Sequence, residues 1–109
     1  MAVVVSRFAI YLVSLYPTVG AEMQKIRPAL VVSPDEMNKS IATVIIAPMT
    51  TRGRAYPTRV PCEFQGRRGE IALDQLRVVD KARLVRHLGM LDVAAQQSVL
   101  ETLAAMFAP

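Results

Sequence analysis

Metal-binding and disulfide-forming side chains are scarce in this chain: 109 residues hold one cysteine, Cys62, and one histidine, His87. A lone cysteine cannot close an internal disulfide, and one cysteine with one histidine falls short of a zinc site's ligand set. No apolar run approaches the roughly 18 residues of a membrane span. The apolar start Met1-Ala2-Val3-Val4-Val5 is too short for a secretion signal and lacks a basic lead-in. Also missing are a phosphate-cradling glycine loop, a Ser/His/Asp spacing, internal repeats and low-complexity segments. These absences point to a cytoplasmic protein that works without a metal or cofactor and does not enter the membrane.

What is present describes a folded domain. Hydrophobic residues make up 52% and charged residues 20%, a balance that excludes a disordered chain. The length suits a single domain, residues 1–109, with one core. All 13 lysines and arginines lie within residues 1–88, whereas residues 89–109 carry only Asp92 and Glu101. A basic body of this kind suits a polyanion or an acidic protein partner, against the plainer reading of a generally basic surface.

The stretch Tyr16 to Pro28 organises the rest. An apolar strand, Ile10 to Leu15, runs into a turn punctuated by Pro17 and Gly20. A polar loop with Glu22, Gln24, Lys25 and Arg27 follows. Pro28 biases Arg27 toward an extended backbone, which places it at the mouth of the next strand, Ala29 to Ser33. That strand is nearly all apolar and so predicted to be buried on both faces. Pro34 to Asn38 reads as one helical turn, and Ala42 to Ala47 as a third strand broken by Pro48. After the basic loop 49–57, Thr58, Val60, Cys62 and Phe64 alternate with Arg59, Pro61 and Glu63, a half-buried antiparallel strand that Pro61 places at an edge. Cys62 falls on its apolar side and reads as core. Gln65 to Gly69 is a predicted turn, and short strands flank Asp74-Gln75. Asp80 to Gly89 suits a helix, and Arg83 to Leu91 equally suits a strand. From Asp92, a good N-cap, Val99, Leu100, Leu103 and Phe107 recur at helical spacing. Six or seven short strands and one C-terminal helix make a mainly β protein, a small barrel with a helix packed on it.

Four polar clusters interrupt these strands: Glu22 to Arg27, Thr50 to Arg54, Arg67-Arg68, and Asp74-Gln75 with Arg77. Strand ends on one side of a small barrel converge, so these groups are expected to line one groove. Carboxylates, arginines and threonine hydroxyls can cleave RNA without metal, because RNA brings its own nucleophile, the 2′-hydroxyl. The enzyme must take that proton, stabilise the anionic phosphorus centre and protonate the leaving 5′-oxygen. Arg27 suits charge stabilisation, Thr50 or Thr51 a hydrogen bond to a phosphate oxygen, and Glu22 or Asp74 the base. Arginine is an awkward proton donor, given its free pKa above about 12.

Tyr16-Pro17-Thr18-x-Gly20-x-Glu22, Arg27-Pro28-Ala29-x-Val31-Val32-Ser33, Pro48-Met49-Thr50-Thr51 and Asp74-Gln75-x-Arg77-x-Val79-Asp80 together resemble the MazF/PemK/Kid family, the toxin halves of bacterial toxin–antitoxin pairs. The resemblance runs from Ile10 to the last helix. It implies an SH3-like, CcdB/MazF-like barrel, a homodimer, and sequence-specific cleavage of single-stranded RNA leaving a cyclic phosphate. It also implies a cognate antitoxin whose acidic, flexible tail covers the RNA groove. Glu22, Arg27 and Thr50 match the family's loop glutamate, Arg-Pro arginine and first threonine, which carry catalytic roles; Asp74 matches an aspartate proposed as base or RNA contact. Gln24, Lys25, Thr51, Arg52, Arg54, Gln75 and Arg77 are the candidate RNA contacts. Two departures stand out. Arg7 is followed by Phe8-Ala9 where the family usually has glycine and an acid, and Ala21 and Ala72 stand where some members carry a basic active-site residue.

Plainer readings compete at several positions. Arg77 suits a buried partner of an acid such as Asp80, His87 a surface or interface residue, Arg67-Arg68 a solvated turn, and the Val99–Phe107 stripe core or dimer packing. Two other functions suit the same fold: a gyrase poison of the CcdB type, which needs neither the Arg-Pro nor the Thr-Thr motif, and a catalytically inactive family member.

Overall fold

Among the described residues, seven strands and two helices follow one another: β1 (Ala9–Ser14), β2 (Ile26–Val31), α1 (Asp35–Ser40), β3 (Thr43–Thr50), β4 (Arg59–Phe64), β5 (Arg67–Ala72), β6 (Arg77–Asp80), β7 (Leu84–Met90) and α2 (Val93–Phe107). Single 3₁₀ turns, Leu73–Gln75 and Lys81–Arg83, precede β6 and β7. The computed structural model describes residues 4–15, 26–51 and 56–109.

All pairings are antiparallel, in the order β4-β5-β3-β2-β1-β7, with β6 beside β3. The connection Lys81–Arg83 shows why this sheet is rolled. Strands β6, β3, β2, β1 and β7 form a five-stranded run whose outer members, laid flat, would stand about 19 Å apart. The four steps from Asp80 to Leu84 reach at most about 14 Å. The two edges must therefore approach each other, and the run curls into a barrel.

Inside that curl lies one core, and outside it another. Period-two alternation sends Ala9, Tyr11 and Val13 of β1, Ala29 and Val31 of β2, Val44 and Ile46 of β3, and Val79 of β6 to the first. The intervening Ile10, Leu30 and Ala47 join Val60, Ile71, Leu73, Leu91, Ala95 and Val99 in the second, under α2 and the β4–β5 hairpin. Both faces of the central strands are thus covered, which accounts for their nearly unbroken apolar runs. Leu30, Val31, Ile46 and Val99 have no exposed surface.

Several elements differ from expectation for identifiable reasons. Strand β3 runs on through Pro48 to Thr50. Along that edge β6 pairs as far as Ile46 and β5 begins at Met49, so the missing N–H of Pro48 falls where the edge changes partner. The turn predicted over residues 65–69 is only Gln65-Gly66, a two-residue hairpin with φ of 52° and 76°. Arg67 and Arg68 therefore belong to β5. Residues 80–89 resolve as a 3₁₀ turn and a strand. Asn38 does not end α1; it is buried, its amide oxygen accepting from Ser33 Oγ at 2.6 Å and its nitrogen donating to the Ser33 carbonyl at 3.0 Å. Lys81 Nζ donates to the Asn38 carbonyl and so ties the 3₁₀ turn to α1.

Helix α2 starts as its sequence implies, with Asp92 Oδ2 accepting the Ala95 N–H at 3.0 Å. Val99 packs fully, with Leu100, Leu103 and Met106 beside it. Phe107 does not share in this: it is 72% exposed, past the end of the sheet-facing stripe. Strand β4 is the edge that Pro61 implied. Cys62 packs against the outer core, and burial pushes its thiol pKa up, as suits an inert side chain. Phe8 holds a left-handed backbone, φ 71°. It is kept there by bonds from its N–H to Val31 O (2.7 Å) and from the Leu91 N–H to its carbonyl (2.9 Å).

Candidate active site

The rows of side chains that fill the inner core continue beyond it. On β2 the row Val31, Ala29 ends in Arg27; on β3 Val44, Ile46 and Pro48 end in Thr50; on β6 Val79 is followed outward by Arg77. The period of two that buries the apolar members therefore delivers the polar ones to the mouth of the barrel. There they line a cavity of about 400 Å³ with Leu15, Pro48, Met49, Arg59, Ala72 and Gln75. Arg27, Gln75 and Arg77 are exposed, and Thr50 is half-buried.

The convergence expected of the strand ends is thus present for Arg27, Thr50, Gln75 and Arg77. Glu22, Gln24, Lys25, Arg52 and Arg54 lie outside the described residues, although the strands that lead to them, β1 and β3, both end at this mouth. Thr51 is exposed, one residue past β3. Arg67 and Arg68 do not join the site: they start β5 at the hairpin end, about 17 Å and about 14 Å along the strand from Ala72. Arg77 is not a buried partner of Asp80. Its side chain is exposed at the cavity, and Asp80 Oδ1 instead accepts the Ala82 N–H at 2.8 Å. His87 is exposed on β7, edge-on to Tyr11 with ring centroids 5.1 Å apart.

Asp74 sits beside the mouth with both oxygens engaged. Oδ1 accepts from Arg59 Nε at 2.7 Å and from Thr58 Oγ1 at 3.1 Å, and Oδ2 accepts from Arg59 Nη2 at 3.2 Å. The Arg59 hydrogen bonds, ahead of every other influence, hold the Asp74 carboxyl below the usual carboxylate range, and Asp74 in turn raises the Arg59 pKa.

Arg59 and Glu70 escaped the reading of the sequence. Arg59 is directly opposite Ala72 in the β4–β5 ladder, and Glu70 directly opposite Thr50 in the β3–β5 ladder. Glu70 is buried, and its Oε1 lies 3.9 Å from Arg59 Nη1. The only signal for Arg59 was its place at the start of the solvent-facing row of an edge strand, a place many surface arginines share. Gly69 lets the strands close at this point, for a Cβ there would stand 2.7 Å from the Thr50 carbonyl oxygen.

A cavity lined by Arg27, Arg59 and Arg77 lies at the mouth of a small β-barrel. The chain belongs to the family of PemK-like, MazF-like toxins of type II toxin–antitoxin systems, whose sequence profile matches residues 6–107. It is 33% identical over 106 residues to the protein named Endoribonuclease EndoA from Bacillus subtilis (strain 168), covering 92% of this chain and 91% of that one. Its fold is similar to MazF in a MazE–MazF crystal structure (Form-II) from Deinococcus radiodurans, with a TM-score of 0.83, 25% identity, and 96% of each chain covered. A structure described as an endoribonuclease in complex with its cognate antitoxin, from a mycobacterial species, is similar at a TM-score of 0.79 and 25% identity, over 95% of this chain and 96% of that one.

Proposed function

We propose that this protein is a sequence-specific, metal-independent endoribonuclease toxin that acts on single-stranded RNA. The observation that carries the proposal is the meeting of Arg27 and Thr50 at one barrel mouth, each at the end of a core-forming row. The relative named as an endoribonuclease and the shared family support it.

In the reaction the 2′-oxygen gives up its proton to a base and attacks the adjacent phosphorus. The P–O5′ bond breaks, the departing oxygen takes a proton, and a cyclic 2′,3′-phosphate and a 5′-hydroxyl remain. Arg27 stabilises the charge that builds on the phosphoryl oxygens, and the Thr50 hydroxyl donates to one of them. Glu22, which lies outside the described residues, is the carboxylate we assign to take the 2′-proton. Gln75 and Arg77 contact the bound strand.

The partner proposed is an antitoxin with an acidic tail that occupies the same basic mouth, assisted by Lys25, Arg52 and Arg54. MazE–MazF and endoribonuclease–antitoxin structures among the similar folds support that assignment. The working form is a homodimer in the cytoplasm; no helix among the described residues is long and apolar enough to cross a membrane. The test is incubation with a long RNA in EDTA. Fragments with 5′-hydroxyl and cyclic or open 3′-phosphate ends are expected, with DNA of the same sequence intact and Arg27→Ala slower by on the order of 10². Strict Mg²⁺ dependence or 3′-hydroxyl products refute the mechanism, and linear DNA accumulating from a supercoiled plasmid incubated with gyrase and this protein would favour the gyrase-poison reading.

A further inference from the structure

The geometry points to Arg59 as a further phosphate-binding residue of this site, with Asp74 as its positioning residue and not the proton acceptor. The inference rests on the proposed RNA substrate and names a contact within it, a phosphodiester of the bound strand other than the one attacked.

Three neighbours hold the Arg59 side chain, which is only 9% exposed although it lies on an edge strand. Asp74 grips it in the side-on, two-bond geometry, Nε to Oδ1 at 2.7 Å and Nη2 to Oδ2 at 3.2 Å. Glu70 Oε1 stands 3.9 Å from Nη1. The Tyr56 ring lies 5.3 Å from Cζ, close enough for cation–π attraction. Across the ladder, Ala72 offers nothing beyond Cβ, so no larger side chain separates Arg59 from the cavity it lines. A guanidinium has five N–H donors. Asp74 takes two, and Glu70 Oε1, 3.9 Å from Nη1, stands beyond hydrogen-bond distance, so the donors on Nη1 and the second on Nη2 are left for a phosphate. Because the side chain is already ordered, little rotamer freedom is lost on binding.

The same geometry argues against Asp74 as base. One of its oxygens carries two donors and the other one, and the neighbouring guanidinium holds it ionised well into acid. A carboxylate so engaged accepts a proton poorly, and taking one would release Arg59. The charged groups facing it are Arg59 from β4 and, beyond that side chain, Glu70 from β5.

The experiment measures binding of a single-stranded RNA made uncleavable by 2′-O-methyl groups, as a function of salt, beside cleavage kinetics on the unmodified RNA. For Arg59→Ala the slope of log affinity against log salt should flatten by about 0.7, the value for one lost contact to a single strand. KM should rise about tenfold, as for a lost charge-assisted bond, with kcat changed only a few-fold. Arg59→Lys should keep the slope, having the charge, yet lose part of the affinity, since an ammonium cannot be gripped on two edges by Asp74. Asp74→Asn should raise KM and leave the acid limb of the pH–rate profile in place, and should have no further effect when Arg59 is already Ala. An Arg59→Ala protein that melts like wild type and keeps the wild-type slope overturns the phosphate assignment. A hundredfold fall in kcat with loss of the acid limb in Asp74→Asn overturns the positioning role. If wild-type protein binds the RNA but cleaves none, the proposed activity fails while Arg59 is still judged on the slope; no binding at all overturns both.

Discussion

Replacing Gly69 by alanine tests whether the closeness of β5 to Thr50 matters to the site. The added Cβ would stand 2.7 Å from the Thr50 carbonyl oxygen, whereas ordinary contact begins near 3.4 Å, so the strands must part by about 0.7 Å. They are joined there by only two register pairs, Met49 with Ile71 and Thr50 with Glu70. The obstacle is backbone and cannot swing aside. Overpacking of this kind costs about 1–3 kcal/mol, or a Tm lower by roughly 4 °C for each kcal/mol in a domain of this size. Displacements near 1 Å at a reacting group cost on the order of 10² in rate, so Gly69→Ala should slow cleavage by about tenfold or more. Gly66→Ala is the control. It has open space around it but a φ of +76°, so strain of about 1–2 kcal/mol should lower its Tm. It lies at the far end of the hairpin, so its single-turnover rate should match wild type. Thermal melts and single-turnover cleavage on both variants decide the matter. A Gly69→Ala protein with wild-type Tm and rate, or equal rate losses in the two variants, refutes the reasoning.

Other outcomes follow from the same structure. Asn38→Ala should lower stability by about 1–3 kcal/mol in denaturant melts, because the buried Ser33 hydroxyl loses the oxygen it donates to. Val99→Ala, at a fully buried position, should cost about 2 kcal/mol, while Phe107→Ser, 72% exposed, should stay within about 0.5 kcal/mol. Asp74 has a lowered pKa in the folded state, so its contribution is present above the unfolded value near 3.8 and is lost as pH falls through the lower folded value. Between pH 4 and the acid limit, wild-type Tm should fall slightly faster than that of Asp74→Asn; the difference is small because the Asp74 side chain is 33% exposed. Identical slopes would show the pair to be without influence on stability.

Periodicity and local chemistry are properties of neighbouring residues, and these the sequence determined by itself. Val60-Pro61-Cys62 alternates as a half-buried edge strand must, Asp92 caps α2, and the Arg27-Pro28 pair sets an arginine at the start of β2. The motifs from Tyr16 to Asp80 already resembled the toxin family to which the chain belongs. What depended on partners distant in the chain was decided only by the tertiary structure. Whether Pro48 stops a strand depends on which neighbour stands at that edge, and the change from β6 to β5 lets β3 continue. Residues 80–89 had no preference between helix and strand until β1 supplied a ladder for β7. Arg77 could have been buried against Asp80, but the outward end of a core-facing row carried it to the cavity. Arg59 became part of the site because the sheet register sets it opposite Ala72 and the turn at Leu73–Gln75 brings Asp74 within 2.7 Å, a meeting of residues 15 apart that no local pattern records.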